Sequence, residues 1–154
     1  MLSKVKKQLG FTLIEVIVVI ALLAILATIV LVAINPAQNS QDARNTKRRA
    51  DVLEILNAVN QYYVANGAWP ANMPAPGAVA VDIKGNGTPA SGDICGSIVT
   101  TYIAALPYDP SAAGASYTSC ASYDLKYFIA LDTTGKRVTI SAPSAESTTV
   151  SVTR

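Results

Sequence analysis

Residues 11–34 read FTLIEVIVVIALLAILATIVLVAI, an apolar run broken only by Thr12, Glu15 and Thr28. As a helix a run of this length spans roughly 36 Å at about 1.5 Å per residue. That covers a hydrocarbon core of about 30 Å. The chain as a whole is 51% hydrophobic and only 14% charged, and this run carries most of the imbalance. The remainder reads as one ordinary, rather polar globular domain, so the 154 residues suit a single domain with an appendage.

Lys4, Lys6 and Lys7 are the only charged residues before the run. Basic residues ahead of a first hydrophobic segment hold that end in the cytoplasm, which places the rest of the chain outside. Three readings compete for the run. A cleaved secretory signal has an apolar core of about 7–15 residues closed by a small-x-small site, and this run is longer and has no such closure. A plain membrane anchor fits the length but gives Glu15 no purpose. A carboxylate within such a helix costs on the order of 2.5–3.5 kcal/mol, less near its end. The third reading cuts the chain between Gly10 and Phe11. Phe11 then carries a charged α-amino group, and Glu15 lies four residues on, on the same helix face. Amine and carboxylate can pair within one chain or between staggered neighbours. An unpaired charge in an apolar bundle is costly, so such pairing would fix axial register.

Lys-Lys-Gln-Leu-Gly followed by Phe-Thr-Leu-Ile-Glu-Val, residues 6–16, resembles the class III signal of type IV prepilins and type II secretion pseudopilins. The broader resemblance reaches about Pro70. It implies cleavage after Gly10 by a prepilin peptidase, N-methylation of Phe11 and an assembly role for Glu15. It also implies a homo-oligomeric filament, an assembly platform and a motor ATPase as partners. Its protein is stored in membrane lipid and then exported to an extracellular pilus.

Downstream, Asn35-Pro36 ends the apolar run. Proline removes a donor and clashes with the preceding turn. The helix is expected to kink at Pro36, or to stop and restart with Asn35 as cap. From 37 to 66 the pattern becomes amphipathic. Val52, Leu53, Ile55, Leu56, Val59, Tyr62 and Tyr63 recur at helical spacing and are expected to cover a sheet. Arg44, Lys47, Arg48 and Arg49 read as a basic patch, either a solvated face with helix ion pairs or a contact for acidic partners, DNA among them. Asn66-Gly67 with Pro70 stops the helix. Trp69 is expected to pack beneath the loop that follows.

Residues 71–92, rich in Ala, Pro and Gly, read as a surface loop. Residues 94–106 are ambiguous between helix and strand. Leu106-Pro107-Tyr108-Asp109-Pro110 is a turn, loosely similar to a segment of major pseudopilins. Ser111-Ala112 stands where that family has Trp-Gly, which weakens transfer of its calcium site. Asp82, Asp93, Asp109 and Asp124 have no calcium-loop spacing, so no metal ligand is assigned. Leu125, Tyr127, Ile129 and Leu131 alternate with Lys126, Phe128, Ala130 and Asp132, and after the Thr133-Thr134-Gly135 turn Val138 and Ile140 alternate with Arg137 and Thr139, completing a hairpin. Residues 148–153 read as a last strand or a frayed tail. Cys95 and Cys120 read as one disulfide in an exported protein. Closing that loop stabilises a small domain by roughly 3–4 kcal/mol.

The expected architecture is α+β and pilin-like, a long kinked N-terminal helix packed on a small antiparallel sheet. Its parts are a leader (1–10), an assembly half-helix (11–35), an amphipathic half-helix (36–66) and a head (67–154). With no histidine, no nucleophile motif and no carboxylate cluster, no enzyme and no cofactor are expected. The alternatives are a type II secretion pseudopilin and a single-pass membrane-tethered binding domain.

Overall fold

The computed structural model describes residues 10–85 and 92–154. In chain order the elements are α1 (Leu13–Ile34), α2 (Pro36–Asn66), β1 (Val81–Lys84), α3 (Cys95–Ile98), β2 (Ser116–Ser119), β3 (Ser122–Leu131), β4 (Val138–Ala142) and β5 (Val150–Thr153). The expected α+β class is observed. The chain divides into two compact units, Met1–Asn39 and Ser40–Arg154. The leader lysines Lys4, Lys6 and Lys7 lie outside the described residues, as does the 86–91 part of the expected surface loop.

In the first unit α1 is a 22-residue helix with no buried residue. The stop-and-restart form of the expected break is the one present. Asn35 closes α1 in the left-handed conformation, φ 43° and ψ 74°, and Pro36 opens α2. Proline suits a first helical position because its missing N–H would be unpaired there anyway. The backbone groups freed by the break find partners nearby. Asn35 Oδ1 accepts from the Gln38 N–H at 3.4 Å, and Asn39 Nδ2 donates to the Ile34 carbonyl at 2.9 Å.

In the second unit the helix residues Val52, Ile55, Leu56, Ala58 and Val59 are fully buried in one core with Tyr127, Ile129, Val138 and Ile140. Leu53 and Tyr63, expected on this face, are exposed. They sit one position off the 3.6-residue stripe, and Tyr63 instead stacks on Trp69 with ring centroids 4.1 Å apart. Gly67, at φ +69°, donates to the Tyr63 carbonyl at 2.8 Å and ends the helix as expected.

The sheet is antiparallel, ordered β1-β3-β4-β5, with β2 also paired to β3. Strict alternation in β3 and β4 buries every second side chain, which fixes register. The hairpin turn is built by Asp132, which accepts from the Thr134 hydroxyl and from the N–H groups of Lys136 and Arg137. Trp69 Nε1 donates to the Gly135 carbonyl at 2.8 Å, which ties it to this turn. Residues 148–153 resolve in favour of a strand, β5 pairing with β4 from Thr153 to Val150.

The reading of 71–92 as loop alone is corrected. Val81–Lys84 is a strand paired with β3, and Ile83 is fully buried. A four-residue strand flanked by Ala, Pro and Gly has too short a pattern to stand out, and pairing with β3 supplies what local propensity lacks. Ile83→Ala is therefore expected to cost about 2–5 kcal/mol. Urea unfolding of the full chain in detergent micelles, followed through the single tryptophan, Trp69, checks this.

Candidate processing and assembly site

The residues singled out at the N-terminus lie together at the start of α1. Gly10, Phe11 and Thr12 precede the helix, and Gly10 and Phe11 are exposed. Thr12 is the N-cap, with extended backbone at φ −81° and ψ 149°. Its hydroxyl accepts from the Glu15 N–H at 3.3 Å, and its own N–H donates to Glu15 Oε2 at 3.4 Å. This reciprocal pair is a capping box, which satisfies two helix-end donors at once. Glu15 also places a negative charge in the first turn, where the helix dipole favours it. Thr28, the remaining polar residue of the run, donates to the Ala24 carbonyl at 2.8 Å. The polar side chains of α1 are thus hydrogen-bonded within the helix, and apart from Glu15 and Thr28 its exposed surface is apolar.

Sequence reading found Glu15 through its cost and its distance from a new amine. It missed the cap, although Thr-x-x-Glu ahead of an apolar run is a recognised helix-start signature. In the uncut chain the Phe11 nitrogen is a peptide amide. The partner that Glu15 has here is therefore the N–H of Thr12.

The basic patch of the second unit dissolves into separate pairs. Lys47 meets Asp51 at 2.9 Å, the helix-ion-pair form of the expectation, whereas Arg44 meets Glu146, far away in sequence, at 2.6 Å. Arg48 is a correction, because it lies fully buried rather than on a solvated face. Its Nε donates to Asp109 Oδ2 at 2.8 Å and its Nη2 to Asp109 Oδ1 at 3.1 Å and to Ser111 Oγ at 2.7 Å. Its Nη1 donates to Asn45 Oδ1 at 2.9 Å. Asn45 in turn accepts from the Glu146 N–H at 3.0 Å and donates to the Glu146 carbonyl. The Asp109 oxygens also accept from the N–H groups of Ser111 and Ala112. A buried guanidinium needs this many acceptors, since an unpaired buried charge is costly. No spacing rule couples positions 48 and 109, so the pair was not legible beforehand.

Burial pushes the Asp109 carboxyl up, but the Arg48 guanidinium and the two backbone donors outweigh it and hold it below the usual carboxylate range. Burial, then the Asp51 carboxylate that its hydroxyl reaches at 2.8 Å, pushes the Tyr127 phenol up. The other acidic side chains considered for a cation have local partners. Asp93 accepts from Tyr123 at 2.6 Å, Asp124 meets Lys126 at 2.6 Å, and Asp82 meets Lys84 at 3.6 Å. Among the described residues no three acidic, Cys or His side chains form a group. Cys95 and Cys120 are joined, with Cα atoms 5.3 Å apart, and tie α3 to the turn between β2 and β3.

Among the described residues α1 is the one helix long and apolar enough to cross a membrane, which fits a membrane-anchored precursor. Residues 5–31 match the family model described as the prokaryotic N-terminal methylation motif, the class III signal of type IV pilins and pseudopilins. Neither a search of curated proteins nor one of solved structures returns a match.

Arg48→Met leaves Asp109 buried without its cation and is expected to destabilise the head by about 3–5 kcal/mol. Adding Asp109→Leu recovers most of that loss. Because the folded state holds Asp109 low, the pair contributes fully above the ordinary carboxylate value of about 3.9. That contribution is lost as pH falls through the lower folded-state value. Urea titrations of the three proteins at neutral pH, and of wild type into the acid range, measure both effects.

Proposed function

We propose that this chain is the precursor of a structural subunit of a type IV pilus-like filament. The single observation that carries the reading is the methylation motif placed over an apolar helix with no buried residue. A membrane stores the subunit by covering α1. Prepilin peptidase removes 1–10 between Gly10 and Phe11, and the new amine of Phe11 is methylated. Glu15, held at the start of α1, then pairs with that amine in its own chain or in a neighbour. The filament replaces lipid with the helices of other copies. Lipid and helix bundle are similarly apolar, so burial alone gives little net drive. That balance leaves room for an external motor, and the resemblance to type IV prepilins implies a motor ATPase together with an assembly platform. The disulfide and the buried Arg48–Asp109 pair support an exported head that must stay folded outside the cell.

The pseudopilin reading has one observation to meet. Asp109, in the segment similar to major pseudopilins, spends both oxygens on Arg48 and two backbone donors. Those bonds leave Asp109 no free oxygen for a calcium ion.

Intact mass and N-terminal sequencing of protein sheared from cells test the proposal. Wild type is expected to begin at methylated Phe11. Gly10→Ala is expected to remain uncut and absent from the sheared fraction, and Glu15→Ala to be cut but unassembled. A wild-type chain that still begins at Met1 and stays in the membrane overturns the proposal and leaves a tethered domain.

A further inference from the structure

We infer that Thr12 is a positioning residue for processing, because its capping box with Glu15 keeps the Gly10–Phe11 bond outside the helix. The inference rests on the cut proposed above. Proteases take their substrates extended, and a peptide bond inside a helical turn is not available in that form. The cut proposed here lies only two residues ahead of a long, stable helix. Helices extend readily once nucleated, so something must set where this one begins.

Two residues compete as the start. Glycine and threonine rank about equally as N-caps. With Gly10 as cap, Phe11 would be the first helical residue, and the third helical position would fall on Leu13. Leucine has no side-chain acceptor, so no box would form. With Thr12 as cap the third position falls on Glu15, and both reciprocal bonds are made, at 3.3 and 3.4 Å. The box therefore tips the start toward Thr12. Its backbone is extended, and the two residues before it lie outside the helix with Phe11 82% exposed. Both partners lie on the C-terminal side of the cut, so the box is not broken by it.

Thr12→Val keeps the branched shape and removes the acceptor, and valine is a poor cap. The helix start then moves to Gly10 and draws the scissile bond into the first turn. Thr12→Ser restores the cap. The test uses the full-length chain in detergent micelles with a prepilin peptidase, and reads kcat/KM by mass spectrometry alongside the Phe11 13Cα chemical shift. Wild type and Thr12→Ser are expected to be cut alike, with a non-helical Phe11. Thr12→Val is expected to lose about five-fold in kcat/KM, the population shift that a lost cap of ordinary strength gives, with Phe11 moving to a helical shift. Thr12→Val cut as fast as wild type overturns the inference. So does slower cutting with an unchanged Phe11 shift, which would mean that the peptidase touches Thr12 directly. Wild type left uncut at Gly10–Phe11 overturns the processing reading itself, and this inference with it.

Discussion

A helix of 22 residues with no buried side chain cannot be left in water. Each fully exposed Leu, Ile or Val costs about 1.5–3 kcal/mol relative to burial. On the reading proposed above, lipid and then other copies cover α1. The polar residues of the run are compatible with either cover, since Thr12, Glu15 and Thr28 each make hydrogen bonds inside the helix. These bonds leave the Glu15 carboxylate, at the end of the helix, as the one charge that either environment must accommodate.

The head has a modest core and is held together by more than apolar burial. Large side chains are concentrated where α2 meets the sheet, and the loops between are held by other means. Arg48 and Asn45 on α2 reach the segments at 109–111 and 146. The disulfide holds α3 to the β2–β3 turn. Lys126, at φ 58°, interrupts the regular backbone of β3, and its carboxylate neighbour Asp124 accepts both its N–H and its ammonium. Beside it the Leu125 carbonyl takes the N–H of Asp109, so the irregularity docks the loop that carries the partner of Arg48.

The N-terminal half was legible because its signals are local. Length, apolarity and one misplaced carboxylate defined α1, and Asn35-Pro36 marked its end. The alternation of β3 and β4 and the Asn66-Gly67 stop were equally local. What escaped reading depends on partners distant in sequence. β1 is a strand because β3 pairs with it. Arg48 belongs to the interior because Asp109 waits there, and among neighbouring basic residues nothing marks it out. Leu53 and Tyr63 were assigned to the buried face because apolar character alone does not resolve adjacent positions on a helix. The capping box was local and still overlooked, since Glu15 had already been explained by a role that begins only after cleavage.

On the proposed reading α1 is covered first by lipid and then by copies of itself. A nitroxide on a cysteine placed at Ala24, in the middle of α1, reads both states, because the native cysteines are paired and do not label. Electron paramagnetic resonance is predicted to show a label open to oxygen and closed to aqueous relaxants in membranes. In sheared extracellular material it should be closed to both and broadened by neighbouring labels. A label that stays in lipid with no sheared fraction, or one open to water in the sheared material, would contradict the account.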